Sequence, residues 1–287
     1  MQARPAEAGQ YVHGAAMTVP TGAAARSYDP NTPNLSPPQQ AVVAHRGSDL
    51  QVIACAGSGK TESISRRIAA LIAEGTDPEA IVAFTFTERA AGELKNRVAQ
   101  RVIEAVGPSA RDQLGRMYVG TIHGYCFRIL QDYVPKYGNY DVLDEHRHAG
   151  LLSREFYAIG LNELGTRHWK SIDAWVRTVD VIGNELIPEA SLAGTTIGSI
   201  YAKYRAMLDR YHFLTFGLII SCAVEALADP KVFARVHGSL RYLFVDEYQD
   251  VNPAQERGRC SRWRASGSSA STTSRGPRWA ASVRLRR

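Results

Sequence analysis

A parallel α/β sheet interrupted by an α-helical insertion is the fold class this sequence predicts, and three observations predict it. Short apolar segments alternate with amphipathic helical segments three times between Leu50 and about residue 132. Residues 133–229 then read as helix after helix. A last apolar segment, residues 242–245, restores the strand pattern just before a pair of acids. Strand-helix units in series call for a parallel sheet covered by its own crossovers.

Each element has a local reason. Residues 1–34 are rich in Ala, Gly, Pro and Thr with few bulky side chains, and are expected to be a disordered lead. Residues 50–54 form a short apolar strand that runs into a glycine-rich turn. A helix follows with Ile64, Ile68, Leu71 and Ile72 on one face, and Gly75 stops it. After Asp77-Pro78, residues 81–86 make a second strand. Thr87 is placed to cap the next helix, whose apolar face is Ala91, Leu94, Val98 and Val102 and which ends at Gly107-Pro108. Residues 117–120 are a third strand, entering a helix near His123. In the insertion the expected core stripes are Leu151, Leu152 and Phe156; Ile172, Trp175, Val176 and Val179; Ile200, Tyr204, Met207 and Leu208; and Phe216, Ile219, Ile220 and Val224. The expected domains are thus a first part at 35–132, the helical insertion at 133–229, and the sheet resumed at 230–256.

Composition narrows the classes. With 45% hydrophobic and 22% charged residues, the chain is neither disordered throughout nor collagenous. No apolar run approaches the roughly 18 residues of a membrane span, so no membrane partner is expected. Four widely separated cysteines, without a basic-apolar leader, fit a reducing cytoplasmic compartment. The formal charge of +6 suggests a nucleic-acid partner until it is located. Residues 257–287 hold nine Arg and no acid, which leaves 25 bases against 28 acids, a net −3, for the remainder. That segment has no periodicity, and a disordered tail is expected there.

Two motifs carry chemistry. Ala54-Cys55-Ala56-Gly57-Ser58-Gly59-Lys60-Thr61 lies between a strand and a helix. Backbone N–H groups of such a turn converge on phosphate oxygens, Lys60 adds a full charge, and the Thr61 hydroxyl can ligate the magnesium that accompanies a nucleotide. Asp246 and Glu247 follow the strand at 242–245, at the edge of a parallel sheet where ligands bind. One carboxylate there can hold magnesium and the other can take the proton of an attacking water. Such pairs are common strand ends, so this one gains meaning from the phosphate loop.

Five segments in order, Gln39 within Leu35-Ser36-Pro37-Pro38-Gln39-Gln40, the phosphate loop, Thr85-Phe86-Thr87-Glu88-Arg89, Gly120-Thr121-Ile122-His123-Gly124 and Val245-Asp246-Glu247-Tyr248-Gln249-Asp250, resemble the early motifs of UvrD/Rep/PcrA-like superfamily 1 DNA helicases. The resemblance spans residues 35–256 and includes Asp141-Val142-Leu143-Asp144-Glu145. It implies a P-loop RecA-like parallel sheet, the first of two such domains, with ATP and magnesium as cofactors and single-stranded DNA as partner. By it, Gln39 reads the adenine, Lys60 binds the β- and γ-phosphates, Thr61 and Asp246 hold the magnesium, Glu247 handles the attacking water and Gln249 senses the γ-phosphate. Phe86, Thr87 and His123 would line the DNA track. An aromatic ring gives a base a stacking face, and hydroxyl or imidazole groups reach phosphates. Spacing alone leaves Phe86 equally a buried strand residue and His123 equally a locally satisfied helix-start residue.

Two positions depart from the family pattern: Glu62 stands where close relatives often carry Arg beside the nucleotide, and Thr215 where many carry Asp. Motors of this family complete the ATP site with arginines from a second RecA-like domain, which is not visible here. The expectation is that the chain as written unwinds nothing and hydrolyses ATP slowly if at all, with a non-enzymatic nucleotide- or DNA-binding remnant as the alternative. The acid-free texture after Glu256 is what a GC-rich gene gives when read out of frame, and a frameshift near Arg257 is the expected origin.

Overall fold

The computed structural model describes residues 11–12, 35–47, 49–55, 57–248 and 282–284. They divide into two compact units. The first holds the described residues up to Thr121 and from His237 onward; the second runs from Ile122 to Val236. The sequence pattern places the insertion at 133–229. The helix Ile122–Tyr133 falls instead with the second unit, because its buried Cys126 and Leu130 join that unit's apolar cluster.

The first unit is built on an all-parallel sheet. Its strands are β1 (Tyr11–Val12), β2 (Gln51–Ile53), β3 (Ile81–Thr85), β4 (Tyr118–Thr121), β7 (Tyr242–Val245) and β8 (Ser282–Arg284), in the order β1-β2-β8-β7-β3-β4. Strand β3 sits between β7 and β4, with Ala83 opposite both Phe244 and Val119. All five of its residues are buried, as an unbroken apolar run with a helix layer over it requires. Of the segments 1–34 and 257–287, Tyr11–Val12 and Ser282–Arg284 form the short strands β1 and β8, and the rest of both lies outside the described residues. Strand β8 pairs with both β2 and β7, and a strand edge left open between them is a template that a three-residue segment can satisfy through its backbone.

Three helices matter for the first unit: α1 (Pro37–Ala44), α2 (Lys60–Ala73) and α3 (Glu88–Val106). The predicted faces are the buried ones. Ile64, Ile68 and Leu71 of α2 pack with Leu94, Val98 and Val102 of α3. Helix α2 ends in a Schellman arrangement at Gly75, where φ is 90°; Gly75 N–H bonds the Ile72 carbonyl and Thr76 N–H the Leu71 carbonyl. Thr87 caps α3, its hydroxyl accepting the Ala90 N–H at 3.1 Å.

The second unit is helical: α4 (Ile122–Tyr133), α5 (Glu145–Arg154), α6 (His168–Asn184), α7 (Thr196–Tyr211), α8 (Phe216–Ala226) and the first turns of α9 (Pro230–Ser239). A two-strand ladder of β5 (Asp141–Val142) and β6 (Phe213–Leu214) adds to it. Trp175 and Tyr204, both fully buried, centre the core, their rings edge to face at 5.6 Å. Helices α6 and α8 meet at Gly183 and Gly217, where a Cβ on Gly183 would come within 2.8 Å of the Gly217 carbonyl oxygen. Phe216, expected in the core stripe of α8, is exposed instead. It opens the helix directly after the N-cap Thr215, so its direction is set by the incoming chain rather than by the stripe. Among the described residues no helix is long and apolar enough to cross a membrane.

Candidate nucleotide-binding site

Strand β2 hands the chain to the loop that begins α2. Gly57 and Gly59 carry φ of 76° and 81°, the left-handed conformation that glycine adopts without penalty. Gly59 is the N-cap of α2, so the free N–H groups and positive end of the helix face the loop. Ser58 N–H bonds the Cys55 carbonyl at 3.3 Å, and the Lys60 ammonium reaches the same carbonyl at 3.3 Å. Lys60 is thus folded back over the loop, with Thr61 beside it in the first turn. Ala54 is half-buried under the turn, whereas Cys55 and Ser58 are exposed. Ala56 lies outside the described residues.

Gln39 is tied to this loop. As the third residue of α1 it accepts the Ser36 N–H at 2.8 Å through Oε1, and its Nε2 donates to the Ser58 carbonyl at 2.8 Å. The backbone donor on one side and the backbone acceptor on the other fix which end of the amide is oxygen. Each end keeps one hydrogen-bonding position, a donor and an acceptor side by side. That pair matches the N6 and N7 edge of an adenine.

Across the same sheet edge, β7 delivers the acids. Asp246 N–H bonds the Phe84 carbonyl at 2.9 Å, extending the ladder one residue past the strand. The chain then turns at Glu247, a non-glycine residue with φ of 51°, and Glu247 N–H bonds the Asp246 carboxylate at 3.0 Å. Burial pushes the Asp246 carboxyl above its ordinary value and the neighbouring Glu247 charge adds to the rise; the Glu247 N–H and the Lys60 charge oppose it. Among the described residues no three His, Cys, Asp or Glu side chains group to hold a metal ion. The oxygens of Thr61 and Asp246 suit magnesium all the same, since that ion takes one or two protein oxygens and fills its shell with phosphate and water. Gln249 lies outside the described residues.

Phe86 follows β3 on this edge and is 60% exposed, which removes the alternative of strand burial. Thr87 is exposed too, and its hydroxyl is engaged as the α3 cap. His123 belongs to the second unit. Its half-buried ring meets Phe216 edge to face at 5.4 Å, and burial holds its imidazole below the ordinary value. Phe216, 53% exposed, is the aromatic that sequence reasoning assigned to the core; its position immediately after a helix cap was the available signal.

Glu62 is held by two arginines. It pairs with Arg66 one turn on and with the Arg101 guanidinium at 2.9 Å on α3, while Arg101 grips Glu104 through two bonds of 2.8 and 2.9 Å. An acid in the first turn of α2 therefore joins α2 to α3.

Comparison with known proteins agrees with these elements. The family model of the UvrD/REP helicase N-terminal domain matches residues 35–258. The chain is 34% identical over 237 residues to the ATP-dependent DNA helicase UvrD1 of Mycobacterium leprae, covering 77% of this chain and 29% of that protein. It is 32% identical over 235 residues to the ATP-dependent DNA helicase PcrA of Bacillus subtilis, covering 77% and 30%. To DNA helicase II of Escherichia coli it is 30% identical over 234 residues, covering 77% and 31%. The chain spans about three tenths of the length of the curated relatives it matches. With a loop, a capped glutamine and an acidic strand end all inside the matched region, the chain belongs to the UvrD/REP helicase N-terminal domain family.

Proposed function

We propose that this chain binds ATP with magnesium on a P-loop RecA-like sheet, as the N-terminal portion of an ATP-dependent DNA helicase acting on single-stranded DNA. The observation that carries the reading is the left-handed glycine turn with Lys60 folded over it at the start of α2, on the same parallel sheet whose strand β7 ends at Asp246, so that a phosphate-binding cation and a carboxylate suited to magnesium belong to one sheet. The loop N–H groups and Lys60 hold the phosphates, and Gln39 offers its spare donor and acceptor to the adenine. Thr61 and Asp246 supply oxygens to the magnesium, which would neutralise charge between the β- and γ-phosphates. Glu247, turned out of the strand by its left-handed backbone, is the carboxylate for the attacking water. By the family resemblance, Gln249 would sense the γ-phosphate.

For DNA, the reading uses the exposed ring of Phe86 and the Thr87 beside it, and, in the helical unit, His123 with Phe216. Exposed aromatics that stack on bases bind without sequence preference. The 287-residue chain is proposed to bind nucleotide but turn it over slowly, because residues of opposite charge to the transition state come from beyond the matched region in such motors.

The test is nucleotide binding followed by turnover, each with and without single-stranded DNA. Magnesium-dependent ATP binding that Lys60→Ala weakens at least tenfold is expected. Absence of saturable ATP binding in the folded chain would sink the reading. Rapid DNA-stimulated turnover abolished by Lys60→Ala would sink the slow-turnover part alone.

A further inference from the structure

Arg67 lies on α2 at 1% exposure. It forms no ion pair among the described residues, and its Nε has no hydrogen-bond partner. Among the described residues its one bond runs from a terminal guanidinium nitrogen to the carbonyl of Val42, in the last turn of α1. Burial drives its proton affinity down to about 10, with the nearby Arg46 charge adding to the effect. The Glu74 carboxylate acts on Arg67 only from a distance, and a buried cation that bonds no carboxylate is a poor source of stability; a well-packed apolar side chain of similar volume would serve as well or better. What the arginine supplies is a fixed direction.

The last turn of α1 is held by arginines throughout. Arg46 donates to the carbonyls of Val43 and His45 at 2.6 and 2.8 Å, and is itself gripped by Glu74, at the end of α2, through two bonds of 3.0 and 2.7 Å. The carbonyls at a helix C-terminus carry partial negative charge that cations satisfy. Helix α1 has eight residues, too few to hold its own shape or place in water, so its position comes from these contacts. Gln39 is one turn before Val42, about 4.5 Å along the axis. Its amide is tied to the phosphate loop that opens the same α2.

We propose that Arg67 is a positioning residue for nucleotide-base recognition: by anchoring the C-terminal end of α1 to α2, it sets where the Gln39 amide stands over the phosphate loop. The inference rests on the reading of Gln39 as the adenine contact. Arg67 and the phosphate loop lie on one helix, so the base contact and the phosphate contacts are held in register by a single rigid element. Arg46 and Glu74 form the second, more exposed anchor of the same clamp.

The experiment measures the affinities of ATP and GTP, each with magnesium, for the full chain and for Gln39→Ala, Arg67→Met, Arg67→Lys, Glu74→Gln and the double variant Gln39→Ala/Arg67→Met. The wild-type chain should favour ATP, and Gln39→Ala should reduce that preference about tenfold. Arg67→Met should reduce it to the same extent while GTP affinity stays within about twofold, and the double variant should be no worse than either single one. Arg67→Lys should recover part of the preference, and Glu74→Gln, which leaves the buried arginine in place, should lower it about two- to threefold. Equal weakening of ATP and GTP in Arg67→Met, or a double variant with additive losses, would overturn the proposal. If Arg67→Met does not fold, full preference in both Arg67→Lys and Glu74→Gln overturns it. An unchanged preference in Gln39→Ala removes the reading of Gln39 itself; a lost preference in Gln39→Ala with an intact one in the Arg67 variants removes only the role of Arg67.

Discussion

The amide nitrogen of Gln39 stands 2.5 Å from the point where a Cβ on Gly59 would lie. Gly59 therefore has two reasons to be glycine, its left-handed backbone and the side chain pressed against it. Gly59→Ala should strain the backbone by about 1–2 kcal/mol and displace Gln39 as well. The expected outcome is a fall in ATP affinity of at least tenfold, larger than for Gln39→Ala, with a small drop in melting temperature. Titration with a fluorescent ATP analogue checks it; ATP binding equal to wild type would contradict the close approach.

Asp246 gives a pH signature. Its carboxyl is raised in the folded state, so between the ordinary carboxylate value of 3.8 and the higher folded value the native chain holds more protons than the unfolded one. Stability without ligand should fall as pH rises through that window. Asp246→Asn removes this charge, so it should be more stable than wild type at neutral pH and lose magnesium-dependent ATP binding. Denaturant melts at two pH values and a magnesium titration separate these effects, and a destabilised Asp246→Asn at pH 7 would count against the burial cause.

His148 gives one of opposite sign. Its ring, 5% exposed and bonded to the Tyr204 hydroxyl at 2.9 Å, is pushed down by burial to about 4 from 6.5. The unfolded chain takes up that proton first, so stability is full above pH 6.5 and is lost as pH falls from there toward 4. The loss is on the order of 3 kcal/mol. In His148→Gln, urea midpoints measured across that range should lose most of this component.

Phe86 and Phe216 are exposed, so Phe86→Ala and Phe216→Ala should change stability by no more than about 0.5 kcal/mol. Stacking on a base contributes about 1–3 kcal/mol, so each should weaken binding of a labelled oligothymidine at least fivefold. Anisotropy titrations report the binding, and unchanged affinity for both variants would remove the aromatic contacts from the proposed DNA reading.

Trp175 is fully buried, yet among the described residues its indole N–H has no partner. Trp175→Phe should therefore cost less than about 1.5 kcal/mol, because it removes an unsatisfied donor, while Trp175→Ala opens a cavity costing about 3–5 kcal/mol. Chemical melts of the two variants give the comparison; equal losses would show that the indole N–H is in fact engaged.

Local pattern made the sheet elements legible. The continuous apolar run Ile81-Val82-Ala83-Phe84 could only be a strand buried on both faces, and the stripes of α2 and α3 named their own core residues. The tight turn between β2 and α2 is legible because glycine spacing and a helix start coincide there, and its left-handed Gly57 and Gly59 follow from that spacing. Three things were not. Phe216 reads as core by periodicity, which says nothing about a first-turn residue whose direction the cap decides. The unit boundary at Ile122 depends on where the side chains of α4 pack, a long-range fact absent from its own sequence. Arg67 looks like any basic residue on an amphipathic helix, and its burial follows from α1 lying over it.

The bond from Asp246 N–H to the Phe84 carbonyl ties the ends of two neighbouring strands, β7 and β3, to each other. Asp246 is the proposed magnesium residue, and Phe84 precedes the exposed Phe86 by two residues. A displacement of the acidic strand end by even a few tenths of an ångström must either stretch that bond or carry the end of β3 with it. The ends of β3 and β7 are thus latched to each other at their last shared rung, and the backbone that leads to the Phe86 ring is fixed relative to the backbone that carries Asp246.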